Sequence, residues 1–157
     1  MASPQGSNKV FANQKIEMFD HDPDGTAAAV ITPDAGTSER WVDMSCYGSF
    51  AAIAMSSALT GNGITLIEIV ANDKSDGSGT TVVIKTSGVV AADAVGDYVV
   101  EECTAEEIAQ EGADNSVDLR YVACRLTVHN VADEAVATYI RSNPRFAENG
   151  LTADTIA

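Results

Sequence analysis

Alternation over short runs constrains this chain more than any other feature. In Thr80 to Lys85, Val82 and Ile84 fall on one side of an extended backbone, and Thr81 and Lys85 on the other, with Val83 between the latter two. Side chains repeat every second residue in a strand but about every 3.6 residues in a helix, so the run fits a half-buried strand. Similar runs recur at Trp41 to Cys46, Phe50 to Leu59, Val95 to Cys103, Val117 to His129 and Ala135 to Arg141. Within Phe50 to Leu59, the residues Ala51, Ile53, Met55 and Leu59 share a face. In Val117 to His129 the apolar face holds Val122, Cys124, Leu126 and Val128. Ile64 to Val70 is apolar on both faces, which predicts a central strand.

The turns between these runs set the expected connections. Thr60-Gly61-Asn62-Gly63, the loop Asn72 to Gly79, and Asn130 to Glu134 each read as the link of a hairpin, because Gly, Asn and Asp tolerate turn conformations. Thr104-Ala105-Glu106-Glu107 fits a capping box, so a short helix is expected from Thr104 to about Gln110, ending at Gly112. Pro144 closes the last strand. About seven or eight strands at this spacing predict the all-β class: one antiparallel β-sandwich or jelly-roll-like domain with one short helix. Composition agrees in part. The chain has 16 Val, 10 Ile and 13 Thr against 5 Leu, a β-leaning set, while its 24 Ala pull towards helix.

With 157 residues the chain is long enough for one domain with a real core. The sandwich is placed at residues 41–147, after an extended N-terminal arm at 1–40 and before a thinly apolar tail at 148–157. Pro4, Pro23 and Pro33 punctuate the arm, yet it carries Val10, Phe11, Ile16, Met18 and Phe19. Those five either lie on the arm's own domain or reach a neighbouring subunit. On the second reading, a chain lacking residues 1–20 should melt almost unchanged but bind its partner weakly.

Nine Lys and Arg against 23 Asp and Glu give a net charge of −14, which argues against nucleic-acid binding. No run approaches a membrane span, and Met1 to Lys9 lacks the apolar core of a signal peptide, so no membrane partner is expected. Cys46, Cys103 and Cys124 are odd in number and far apart, which predicts reduced thiols made in a cytoplasm. Asp20-His21-Asp22-Pro23-Asp24-Gly25 opens like a calcium loop, but Ile31 stands where the bidentate Glu belongs. It reads as a solvated acidic turn or, at most, a looser cation site. Cys124 and His129 fall on opposite faces of one strand and cannot act together. With no phosphate-cradling loop and no nucleophile elbow, neither catalysis, a cofactor nor a metal is expected. Trp41 and the four Tyr are expected mostly in the core, which leaves a carbohydrate- or ligand-binding sandwich module without its exposed aromatic platform.

Charge is unevenly placed. Glu101, Glu102, Glu106, Glu107, Glu111 and Asp114 cluster around the expected helix, while Arg120, Arg125, Arg141 and Arg145 gather on the last two strands and the turn after them. The arginines either pair internally with the acidic helix or form a docking surface.

Asp118-Leu119-Arg120-Tyr121-Val122 through Val128, then Ala137-Thr138-Tyr139-Ile140-Arg141-Ser142-Asn143-Pro144-Arg145-Phe146-Ala147, resembles small virion proteins of tailed bacteriophages, often encoded near the major capsid protein. Val95-Gly96-Asp97-Tyr98 fits the same pattern. The resemblance implies a β-sandwich with an N-terminal arm, located in the phage head after synthesis in the bacterial cytoplasm. It implies a head decoration (cement) protein that binds across major capsid protein subunits as a homotrimer, or else a head–tail connector or tail component. On it, the candidate capsid or subunit contacts are Val10, Phe11, Ile16, Met18, Phe19, Arg120, Arg125, Arg141 and Arg145.

Overall fold

A computed structural model describes residues 14–21, 30–31, 41–59, 63–90, 92–129 and 133–144. The strands are β1 (Gln14–His21), β2 (Val30–Ile31), β3 (Val42–Asp43), β4 (Tyr47–Ala58), β5 (Ile64–Asn72), β6 (Thr81–Thr86), β7 (Tyr98–Thr104), β8 (Tyr121–Val128) and β9 (Glu134–Pro144), with one helix, α1 (Ala105–Asp114), between β7 and β8. They form two antiparallel sheets packed as a β-sandwich. The first sheet runs β1-β9-β4-β7; the second runs β2-β8-β5-β6, with β3 also on β8.

The first sheet alternates alanines with two large aromatic rings against a layer of aliphatic side chains from the second. The first sheet contributes Phe50, Ala52, Ala54, Ala135, Ala137 and Tyr139; the second contributes Ile67, Ile69, Val122, Cys124, Leu126 and Val128. Ala52 lies opposite Tyr139 in the ladder, and this small neighbour leaves room for the ring. Tyr139 then meets Phe50 edge-on, with ring centroids 5.2 Å apart. Its hydroxyl reaches the other sheet and accepts a 2.6 Å hydrogen bond from the backbone N–H of Cys124. Here the alanine content serves strands, because the core between the sheets needs small side chains more than it needs helix propensity.

The β5–β6 hairpin is present, closed by Asn72. The Asn72 amide donates to the Gly77 carbonyl (3.2 Å) and the Thr81 hydroxyl (2.8 Å), and its oxygen accepts from the Lys74 N–H (2.8 Å). Gly77 sits at φ +70°, and a Cβ there would fall 2.3 Å from the Trp41 indole nitrogen, so only glycine lets the loop cover that ring. β5 is central, between β8 and β6, as its two apolar faces require.

Two expected hairpins are corrected. β4 and β5 lie in opposite sheets, as do β8 and β9, so neither pair is the expected hairpin; β9 pairs with β4 and β1. The buried face of β4 is also the reverse of the expected apolar one: Phe50, Ala52, Ala54 and Ser56 point inward, and Ala51, Ile53 and Met55 point out. α1 has the expected capping box, with Thr104 Oγ1 accepting from Glu107 N–H and Glu107 accepting from Thr104 N–H. It does not end at Gly112. That residue is buried inside the helix, where a Cβ would come within 2.7 Å of the Val117 carbonyl, and the cap is Asn115. α1 packs on β4, β6 and β7, bridging the two sheets, and Lys85 binds Glu107 at 2.6 Å.

The expected arm overlaps the sheets. β1 pairs with β9 over eight residues, from Gln14 opposite Ser142 to His21 opposite Ala135, and β2 pairs with β8. The stretch 14–21 is therefore an edge strand of the chain's own sheet.

Candidate docking face

Register assembles the outward side chains of the first sheet into rows. Paired residues in an antiparallel ladder point to the same face. Ile16 stands beside Ile140, which stands beside Ala51. Thr138, Ile53 and Val100 form the next row, and Val136, Met55 and Tyr98 the one after. Tyr98 is 68% exposed, Val100 47%, Met55 42% and Ile16 39%. Gln14, Ser142, Ser49 and Thr104 border one end, and Ser49 and Ser142 share a 2.7 Å hydroxyl hydrogen bond. Glu102 completes the row of Ile16, Ile140 and Ala51, Glu134 stands opposite Ala58 at the far end, and Asp20 takes the register position opposite Val136. The inner strands β4 and β9 thus present an apolar strip, flanked by the exposed Glu102 and Glu134 and by no basic residue among the described ones.

The second sheet presents a different outer face. Glu68 and Arg125 are cross-strand partners there and form a 2.6 Å ion pair, about one-quarter exposed or less. Arg120 binds Asp43 with two hydrogen bonds, from Nε (3.0 Å) and Nη2 (2.5 Å), and lies over the Tyr121 ring. Arg141 is buried; it donates to the Asp43 carbonyl at 2.6 Å and covers the Tyr47 ring, tying β9 to β3 across the sandwich. Arg120 and Arg125 thus pair with carboxylates on neighbouring strands rather than with α1, whose Glu107 is held by Lys85.

Asp43 reports on this arrangement. Hydrogen bonds from Arg120 hold its carboxyl at about 2, against the opposing effect of partial burial. A folded pKa below the unfolded one gives stability that is complete above about pH 4 and lost as pH falls towards 2. The pair is partly exposed, so its effect is screened. Asp43→Asn should flatten the acid limb of the melting curve between pH 4 and 2, by no more than about 2–4 °C, and leave its shape above pH 5 unchanged.

Of the candidate contacts, Ile16 lies on the apolar face. Met18 and Phe19 take register positions opposite Thr138 and Ala137 in β1. Val10, Phe11, Arg145 and the acidic turn 22–25 lie outside the described residues. Ile53, Met55, Tyr98, Val100, Val136 and Ile140 were not legible as surface residues, because each sits in an apolar strand and only the register shows which side faces out. The inverted face of β4 is the one sequence signal, with larger side chains alternating against alanines. Tyr98 also departs from the expected core placement of the tyrosines.

The remaining chemistry is sparse. Burial pushes the Cys103 thiol up to about 12 and the Cys124 thiol higher as well, so both stay protonated and unreactive at neutral pH. An open depression of about 460 Å³ beside α1 is lined by Ala109, Gly112, Val117 and Leu119, with Ser116 and Asp118 as its polar side chains. Among the described residues no three His, Cys, Asp or Glu side chains converge as metal ligands, and no helix is long and apolar enough to cross a membrane. The chain matches no known family model and no curated protein.

Proposed function

We propose that this chain is a non-enzymatic virion structural protein of a tailed phage: a head decoration protein that binds across major capsid protein subunits, as a homotrimer at local threefold positions. The observation that carries this reading is the apolar strip on the outer face of the first sheet, where Ile16, Met55, Val100 and Tyr98 stay exposed, a surface suited to cover by protein. The resemblance in β8 and β9 adds the phage setting. Each is one of the two interior strands of its sheet, so the described part of the match belongs to the scaffold that carries the face. A rigid sandwich fits the role, since a cement protein adds binding free energy only when the shell it spans is assembled. The acidic remainder of the surface keeps such a protein from trapping DNA.

The test is co-sedimentation with shells assembled from the major capsid protein of the same phage. The expected result is saturable binding in whole-number ratio to capsid subunits, with shells that resist heat better when decorated. Absence of binding to shells, with binding to purified tails or connectors instead, would replace this reading by the tail or head–tail one.

A further inference from the structure

We propose that the open edge of β7 takes up an extended basic strand of a second protein, paired along Tyr98, Val100 and Glu102. β7 ends the first sheet, and among the described residues it pairs with β4 alone. The Ser56 N–H donates to the Asp97 carbonyl at 3.0 Å, and bonded positions alternate from there along the antiparallel ladder. Val99, Glu101 and Cys103 therefore bond β4, while the N–H and C=O of Tyr98, Val100 and Glu102 point away from it. Thr104 belongs to the second set. Its N–H, not needed by β4, donates to Glu107 Oε2 at 2.8 Å and closes that end of the edge. Such a row of outward backbone groups is a template for another strand.

The same three residues carry exposed side chains: Tyr98 and Val100, with Glu102 beside them. On the other side of β7, Glu101 is half-buried, and Lys85, bound to Glu107, also senses the Glu101 charge. Charge selects the occupant. A strand with lysine or arginine opposite Glu101 and Glu102 gains cross-strand ion pairs, and apolar residues opposite Tyr98 and Val100 cover those side chains. A second β7 would instead bring the Glu101 and Glu102 carboxylates of both copies onto one ribbon, in chains that each carry a net charge of −14. The edge therefore rejects its own copy and accepts a basic strand. The inference deepens the capsid reading and rests on it only for the source of the strand, which on that reading is the major capsid protein. One strand is a small contact beside a standard interface of about 800 Å² per partner, so a single site should bind weakly.

Titration of the isotope-labelled full chain with a capped peptide, followed by NMR, tests this. From its N-terminus the peptide carries threonine, lysine, lysine, valine, threonine, valine and threonine. Antiparallel pairing then sets the lysines opposite Glu102 and Glu101 and the valines opposite Val100 and Tyr98. The expected result is saturable binding below about 1 mM, with slowed amide exchange at Tyr98, Val100 and Glu102. Replacing both lysines by glutamate, or N-methylating the valine opposite Val100, should weaken binding at least tenfold. Glu102→Lys should weaken it as much, with unchanged circular dichroism, because the side chain is exposed. Val100→Pro removes an edge N–H that β4 does not use and should act alike; if it disturbs the fold, Glu102→Lys and the peptide series carry the test. Glu134→Lys makes the same change of charge away from β7 and should bind as the parent does. A peptide unbound at about 1 mM overturns the proposal. So does equal binding of the glutamate peptide, or Glu102→Lys binding as tightly as the parent. Shell binding with the peptide unbound keeps the capsid reading and overturns this inference; peptide binding at the edge without shell binding leaves this inference standing and removes the capsid reading.

Discussion

Tyr139→Ala should cost about 3–5 kcal/mol of folding stability, the range for deleting a fully buried aromatic. Tyr139 has no exposed surface, packs edge-on against Phe50, and accepts the Cys124 N–H from the opposite sheet. Domains of this size hold roughly 5–15 kcal/mol in all, so this substitution removes a large share. Tyr139→Phe separates the two contributions. It keeps the ring and deletes the hydroxyl, leaving the Cys124 N–H without that acceptor, for an expected loss of about 1–3 kcal/mol. Trp41 is the single tryptophan and is buried, so its fluorescence reports urea unfolding directly. A Tyr139→Phe midpoint equal to the parent's would mean the hydroxyl contributes nothing across the sandwich.

The same residue shows why the fold was only partly legible. Alternation identified β8 and its inward side chains, and the capping box identified the start of α1, because both signals are local. Which strand pairs with which is not local. A short link rich in Gly, Asn or Asp can follow a strand whether the next strand lies in the same sheet or the other, so 60–63 and 130–134 read as hairpins. The β5–β6 loop was readable because its two strands are neighbours in one sheet. On β4, hydropathy favoured the side with Ile53 and Met55, but the core selects by volume: Ala52 and Ala54 face in because Tyr139 and Phe50 need the space. The candidate face follows from that inversion and from the β4–β7 register, neither of which the sequence displays.

Two truncations should behave very differently, and the expectation of near-unchanged melting after removal of residues 1–20 changes with the structure. Residues 14–20 form most of β1 and cover the edge of β9 from Ser142 to Val136. Removing them strips these cross-strand pairs, each worth roughly 0.2–1 kcal/mol, and leaves β9 as an open edge. The 1–20 deletion should therefore melt roughly 6–12 °C lower and aggregate more readily. Deleting only residues 1–13 leaves β1 and Ile16 in place, so melting should shift by no more than about 2 °C. This shorter deletion is the clean test of the arm. It removes Val10 and Phe11, whose burial on a neighbour would contribute roughly 1.5–3 kcal/mol each, less the cost of ordering the backbone. Shell binding at least tenfold weaker would assign capsid attachment to residues 1–13. Full decoration by the 1–13 deletion would place attachment on the folded body, with Arg120 and Arg125, on the side of the second sheet, as the next residues to substitute.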